Sequence, residues 1–175
     1  MGDFHKYYNS KVKAPYLTIF LGGNLEASNY LEQNYYGGYV AENIYYLGKG
    51  GVINVKGLRI GEISGIFNNF DYFRGHFEKN ENDIKGDKKI VFHYREYEIA
   101  KMSHIKNKLD IFMTHDWPTS IIHTKDFSRI FKLYPQNKEA ILVGTLGLFP
   151  AEFILKLLKP NIIYVDIYIS FIIIQ

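Results

Sequence analysis

The sequence of 175 residues contains no cysteine, and this absence excludes several kinds of chemistry. Without thiols there is no disulfide framework, no thiolate zinc site and no cysteine nucleophile. Any bound metal ion must therefore be held by histidine, aspartate, glutamate or asparagine side chains.

A long uninterrupted apolar run is also missing. The most apolar segment, residues 162–175, is broken by Asp166 and Ser170 and is shorter than the ~20 residues that a membrane-spanning helix needs. We therefore expect no membrane segment, and the N-terminal residues show no signal-peptide pattern. Residues 162–175 are interpreted as a buried strand or as a divergent apolar tail prone to aggregation.

The sequence also carries little excess charge of either sign. The net charge of +3 and the isoelectric point near 8.8 fit a weak binder of polyanions without requiring one. Hydrophobic residues make up 47% and charged residues 22% of the sequence, which is typical of a globular domain. We therefore do not expect bulk disorder.

Short apolar runs rich in β-formers end at glycine or at polar residues, which predicts the strands of a sheet. Helical periodicity and proline stops predict helices between them. The polar segment from residue 67 to 87 has no clear period and is interpreted as a long loop. The predicted strands are 17–21, 44–47, 52–55, 58–65, 109–114 and 162–169, and the predicted helices are 26–32, 94–104 and 149–158. This pattern indicates one α/β domain.

Polar side chains follow the ends of two of these strands. Asn24 comes after the first strand, and His115 and Asp116 come after the strand at 109–114. Because ligands collect beyond the carboxyl ends of strands in α/β sheets, we expect Asn24 and His115 to converge on one site, where both can ligate a divalent metal ion. Alternatively, His115 is a structural histidine and the Gly-Gly-Asn segment is only a turn. Asp116 is then either a helix cap or the partner that orients His115.

Several longer motifs occur in a fixed order along residues 1 to about 160. They include Leu-Gly-Gly-Asn-Leu-Glu-Ala-Ser-Asn-Tyr at 21–30, Gly-Gly-Tyr-Val-Ala-Glu-Asn-Ile-Tyr-Tyr-Leu-Gly at 37–48, Arg-Ile-Gly-Glu-Ile-Ser-Gly-Ile-Phe at 59–67, Arg-Gly-His-Phe-Glu at 74–78 and His-Asp-Trp-Pro at 115–118. Their combination resembles the RNA lariat debranching enzymes of the calcineurin-like metallophosphoesterase superfamily. The resemblance implies an α/β sandwich of mixed sheets flanked by helices, of which residues 1–175 form a single partial domain.

The resemblance also implies a function. In this family two divalent ions (iron, zinc or manganese) support hydrolysis of the 2′-5′ phosphodiester at the branch point of intron lariat RNA, which places the protein in mRNA processing and in the nucleus. Asn24 and His115 correspond to metal ligands, with Glu26 and Asp116 behind them as a second layer.

The segment from about 65 to 87 resembles part of the loop that surrounds the branched RNA. Within it, Tyr72, Arg74 and His76 correspond to residues that stack on bases or meet phosphate. The alternative is that this segment is solvated surface without a ligand.

The sequence departs from the family pattern at positions that carry the chemistry. Leu25 stands where the family has its catalytic histidine, and leucine cannot protonate a leaving group, so no catalytic residue is assigned. Ile167 and Ile169 stand where the family has two metal-binding histidines, and the upstream ligand motifs do not occur in this sequence. Asn24 and His115 are too few and too neutral for a two-metal centre, so we expect metal binding by this chain to be poor.

Three hypotheses remain. The chain belongs to a metal-dependent debranching phosphodiesterase, it binds branched or single-stranded RNA without cleaving it, or it is an inactive fragment. The missing ligands favour inactivity for these 175 residues on their own. Without the upstream strands of the family, we also expect strand 17–21 to present an unpaired edge.

Overall fold

The computed structural model describes residues 2–76, 88–119, 149–165 and 171–174, with positions 131, 132, 135, 138 and 139. No helix in this described part is long and apolar enough to cross a membrane. The elements are α1 (Phe4–Tyr8), β1 (Leu17–Phe20), α2 (Ser28–Gln33), β2 (Gly38–Ala41), β3 (Ile44–Tyr46), β4 (Gly51–Val55), β5 (Leu58–Ile63), α3 (Asn69–Tyr72), a 3₁₀ helix (Lys88–Phe92), α4 (Glu96–Ser103), β6 (Ile111–Thr114), α5 (Phe149–Leu158), β7 (Ile162–Val165) and β8 (Phe171–Ile174).

The strands form two mixed sheets. Sheet one has the order β2-β3-β1-β8, with β3 and β1 parallel and an antiparallel strand at each side. Sheet two has the order β4-β5-β6-β7, in which the β4-β5 hairpin continues into the parallel strands β6 and β7. In β1, β5 and β6, β-rich runs end at glycine or polar residues, as the sequence predicts.

The sheets pack face to face, and helices cover their outer faces. Ile19 and Leu21 from the first sheet meet Ile60 and Met113 from the second in a buried cluster. The next residue along β1, Phe20, points to the opposite face and packs beside α2, as the two-residue repeat of a strand requires. Helices α4 and α5 cover sheet two. The predicted class, mixed sheets flanked by helices, is confirmed.

The predicted unpaired edge at strand 17–21 was wrong. Strand β1 pairs with β3 on one side and with β8 on the other, in a register that joins Leu17 to Ile174 and Phe20 to Phe171. The apolar tail supplies this partner, because a run of β-branched residues readily adds to an open sheet edge.

The interpretation of residues 162–169 as a buried strand was right only about the strand. β7 pairs with β6, but its side chains are largely exposed, with Ile162 at 58% and Ile163 at 48%. Apolar composition alone cannot distinguish a central strand from one whose faces are uncovered. Residues 166–170 lie outside the described part of the chain.

The segment predicted as a long loop contains a short helix, α3. The Asn68 side chain accepts hydrogen bonds from the backbone N–H groups of Phe70 and Asp71, which caps this helix. One helical turn is too short to give a detectable period in the sequence. Residues 77–87 lie outside the described residues.

Two glycines with left-handed backbone conformations allow a test of how tightly the end of β5 is packed. Gly65 (φ +91°) and Gly57 (φ +87°) carry the same backbone strain when replaced by alanine, but only at Gly65 does the new Cβ overlap a neighbour, the carbonyl oxygen of Phe92. We expect Gly57→Ala to lower the free energy of unfolding by about 1 kcal/mol. Gly65→Ala is expected to cost at least about 2 kcal/mol more, because backbone must move. Urea denaturation measures both, and equal losses would contradict the packing described.

Candidate functional site

The turn Gly22–Gly23–Asn24 follows β1 and is fastened to the end of β5 in the other sheet. The backbone N–H of Gly22 donates to Ser64 Oγ at 2.9 Å, and the N–H of Gly65 donates to the carbonyl oxygen of Gly22 at 2.7 Å. These buried hydrogen bonds join the two sheets where β1 and β5 end. The rim of the sandwich is therefore fixed at the turn that carries Asn24.

His115 meets this turn from β6. Its imidazole packs against Gly23 so closely that a Cβ on Gly23 would lie 2.6 Å from Nε2. The His115 side chain is buried, whereas Asn24, the next residue after Gly23, is exposed. The structure thus brings Asn24 and His115 to one rim, while their roles as metal ligands stay predictions.

The second ring nitrogen of His115 lacks a hydrogen-bond partner among the described residues. Nδ1 is buried, and the nearest carboxylate oxygen, Asp116 Oδ1, lies 3.8 Å away, which is too far for a hydrogen bond. The other carboxylate oxygen of Asp116 accepts from the backbone N–H of Phe67 at 2.6 Å. Asp116 therefore anchors the start of the predicted RNA-recognition segment and makes no hydrogen bond to His115 Nδ1.

Glu26 and Leu25 occupy different surroundings. Glu26 Oε2 accepts from the backbone N–H of Gly23 at 2.8 Å, so this carboxylate shapes the turn. The Leu25 side chain is 77% exposed, and it has no group that can transfer a proton.

Glu62, which sequence reasoning missed, lies directly behind the turn. Its side chain is fully buried, and Ser64 Oγ donates to Glu62 Oε2 at 2.9 Å, which completes a chain from the Gly22 amide. Burial raises the pKa of Glu62 to about 8, although the hydrogen bond from Ser64 and the charge of Lys101 oppose the shift. The available signal was a carboxylate inside the apolar alternation of residues 58–63.

The three predicted RNA-binding residues differ in orientation. Arg74 is exposed, with Nη1 3.6 Å from Asp71 Oδ1. Tyr72 is partly buried with its ring against Phe67. His76 turns inward, and its Nε2 lies 2.8 Å from Glu98 Oε1. RNA contacts by these residues stay predictions, and for His76 the imidazole faces protein rather than solvent.

A buried histidine–aspartate pair connects α3 to the protein interior. His93 Nδ1 lies 2.7 Å from Asp71 Oδ2, and both side chains are more than nine-tenths buried. The pair ties α3 to the segment after the 3₁₀ helix. Arg74, two residues after α3, is thereby held in place at the surface.

The described residues do not fit a two-metal centre. Among them, no group of three or more histidine, aspartate or glutamate side chains is placed to hold a metal ion. Asn24 and His115 are neutral ligands, and the carboxylates of Glu26 and Asp116 already accept backbone hydrogen bonds. A binuclear centre needs more ligands and an anionic bridging group.

Comparison with known proteins places these observations in a family context. No family model matches the sequence. The chain is 45% identical to the lariat debranching enzyme of Gallus gallus over 164 residues, and 44% identical to those of Homo sapiens over 164 residues and Schizosaccharomyces pombe over 161 residues. Each alignment covers 92% of this chain but only 30%, 29% and 35% of the respective relative.

The two mixed sheets flanked by helices are consistent with a fragment of a metallophosphoesterase fold. Within that class the chain is a homologue of lariat debranching enzymes over nine-tenths of its length, which confirms the resemblance. It spans about a third of the length of these relatives.

The contact between Gly23 and His115 can be tested against a neighbouring glycine. Gly23→Ala must displace the imidazole, so we expect a loss of about 1–3 kcal/mol in unfolding free energy and a clear shift of the His115 imidazole NMR signals. Gly22→Ala is the control, because its Cβ would lie 3.2 Å from Leu31 Cδ1, the end of a flexible side chain. Equal shifts of the His115 signals in both variants would contradict the geometry.

The raised pKa of Glu62 predicts a pH dependence of stability. The folded chain holds this proton more tightly than the unfolded chain, whose ordinary value is 4.5, so the stabilisation is complete below pH 4.5 and is lost as pH rises through about 8. We expect Glu62→Gln to reduce the fall in unfolding free energy between about pH 5 and pH 9, measured by urea denaturation. Glu42→Gln, at an exposed glutamate paired with Lys13, is the control. Unchanged slopes in Glu62→Gln would show that this carboxyl does not titrate as described.

Proposed function

We propose that the chain acts on branched lariat RNA, as part of a metal-dependent phosphodiesterase that hydrolyses the 2′-5′ bond at the branch point. The observation that carries this proposal is the packing of the His115 imidazole on Gly23, which brings His115 and Asn24 to one rim. Homology to lariat debranching enzymes supports the substrate class. Introns are excised in the nucleus, so we propose that the protein resides there.

We further propose that these 175 residues bind branched RNA without cleaving it. The described ligands are neutral and too few for two ions, and Leu25 offers no proton to a leaving group. In this proposal, the RNA is bound by side chains other than those of Asn24 and His115. The exposed Arg74 guanidinium suits a phosphate, and the rings of Phe70 and Phe73, exposed at 85% and 70%, suit unpaired bases.

The test is a debranching and binding assay on a synthetic branched RNA, with a linear RNA of the same sequence as the comparison. With Mn²⁺ or Fe²⁺ present, we expect tighter binding of the branched form and no turnover. Because phosphate contacts release counterions, the affinity should fall with salt, with a log–log slope of about −0.7 per contact. Filter binding and gel analysis of the products measure the two properties.

Two variants sharpen the result. Arg74→Gln should weaken binding and lower the salt slope by about 0.7, if its guanidinium meets one phosphate. Metal-dependent turnover that is lost in His115→Ala, but kept in the exposed control His104→Ala, would overturn the proposal that these residues do not cleave. Equal affinity for branched and linear RNA would contradict the proposed substrate.

A further inference from the structure

A second aromatic surface adjoins the predicted recognition segment, because the Tyr35 ring meets the His76 ring edge-on at 5.6 Å. It consists of Tyr36, Tyr97 and Lys101, with Tyr35 beneath them, and is called the Tyr36–Tyr97 surface below. The rings of Tyr36 and Tyr97 are 85% and 57% exposed. None of these residues was singled out by the sequence motifs.

The base of this surface is fixed by buried polar contacts. The Tyr35 hydroxyl donates to Glu98 Oε1, and His76 Nε2 lies 2.8 Å from the same oxygen. Burial and the carboxylate raise the pKa of Tyr35 far above its ordinary value, so the phenol keeps its proton and this hydrogen bond. Burial alone would raise the pKa of Glu98, but the hydrogen bonds from His76 and Tyr35 hold it below its ordinary value. Tyr35 is therefore held in one orientation.

The upper part of the surface combines a cation with aromatic faces. Lys101 Nζ lies 4.8 Å from the centre of the Tyr35 ring and 5.9 Å from that of Tyr97, which is one helical turn earlier in α4. The Tyr36 ring meets the Tyr35 ring edge-on at 5.0 Å. The partly buried Tyr35 ring thus contacts both the exposed Tyr36 ring and the Lys101 ammonium, which also faces Tyr97.

The surface is connected rigidly to the rim that carries Asn24. The backbone N–H of Lys49 donates to the carbonyl oxygen of Tyr35 at 3.0 Å. The Lys49 side chain is buried, with its ammonium 2.6 Å from Glu32 Oε2 and 2.6 Å from the carbonyl oxygen of Val91. Lys49 and Gly23 line the same small cavity. Lys49 therefore connects the backbone of Tyr35 to the cavity beside Gly23.

We propose that the Tyr36–Tyr97 surface binds unpaired nucleotides of an RNA strand, with bases stacked on the two exposed rings and a phosphate at Lys101. The chemistry favours this ligand, because base faces stack on tyrosine in any sequence and the ammonium complements phosphate charge. The proposal rests on the proposed function only in taking RNA as the ligand. It requires neither a branch point nor a metal ion.

The experiment measures binding of a linear single-stranded RNA that contains 2-aminopurine, by anisotropy and by quenching of the base fluorescence. Tyr36→Ala and Tyr97→Ala should each raise Kd by about 5- to 150-fold and reduce the quenching, the range expected for one lost stacked base. Tyr36→Phe and Tyr97→Phe should bind as the unchanged protein does, because stacking needs the ring and not the hydroxyl. Lys101→Gln should lower the salt slope by about 0.7.

Matched controls use residues of the same type elsewhere. Tyr39→Ala removes a ring that is 67% exposed on β2, and Lys13→Gln removes an exposed ammonium paired with Glu42. Circular dichroism and thermal unfolding confirm that each variant is folded. Kd values for the two alanine variants equal to that of Tyr39→Ala would overturn the proposal, as would lost affinity in the phenylalanine variants. A changed sedimentation coefficient in Tyr36→Ala with unchanged RNA affinity would assign the surface to a second copy of the chain instead.

The two proposals fail in different ways. If branched and linear RNA bind equally but the tyrosine variants lose affinity, the debranching substrate is wrong and the Tyr36–Tyr97 surface stands. If branched RNA is preferred while the tyrosine variants bind normally, the surface proposal alone is overturned.

Discussion

The close approach of Gly23 to the imidazole of His115 is the constraint on which the rest of the rim depends. Sheet one contributes the turn, and sheet two contributes both the imidazole and the Ser64 hydroxyl that accepts from the Gly22 amide. A side chain at Gly23 would push the turn away from the His115 imidazole. The apolar cluster between the sheets supplies most of the attraction, but it is not directional, so the turn and its hydrogen bonds decide where Asn24 stands relative to His115.

Two buried glutamates, Glu62 and Glu98, hold this rim and the neighbouring elements in place by hydrogen bonds. Glu62 accepts from Ser64 behind the turn, and Glu98 gathers Tyr35, His76 and the backbone N–H of Arg95 on α4. The two carboxyls lie in opposite electrostatic situations, because Glu98 has several hydrogen-bond donors and Glu62 has few. Burial therefore wins at Glu62 and raises its pKa, whereas the donors win at Glu98 and lower it.

The sequence predicted those parts of the fold that local pattern determines. Residues 17–21 and 109–114 are short apolar runs that end at glycine or at polar residues, residues 149–158 are an amphipathic run that ends before Pro160, and the corresponding elements are present. The pairing of β1 with β8 joins residues about 155 positions apart, by the register of Leu17 with Ile174, and no local period encodes it. Strand β2 and helix α1 were likewise not predicted, since packing against neighbours rather than sequence period forms them.

The candidate site was predictable to a similar extent. Strand ends located Asn24 and His115, but β1 and β6 belong to different sheets, and the two residues share one rim because the packed sheets end side by side. The inward orientation of His76 was not predictable, since it depends on a partner 22 positions later in another element. The same limit applies to Tyr35 and Tyr97, whose importance comes from Lys101 lying beside both rings.

Cleaving an RNA phosphodiester requires more positive charge from the protein than binding it does. A phosphodiester already carries a negative charge, and its transition state places more negative charge on the attacking and leaving oxygens. A guanidinium such as that of Arg74, or an ammonium such as that of Lys101, is sufficient to attract the ground state. The Asn24 amide carries no charge, and Leu25 has no proton to give. Under the proposed function, Arg74 and Lys101 would attract an RNA strand, and cleavage would need positive charge at the Asn24 rim in addition to what the described residues supply.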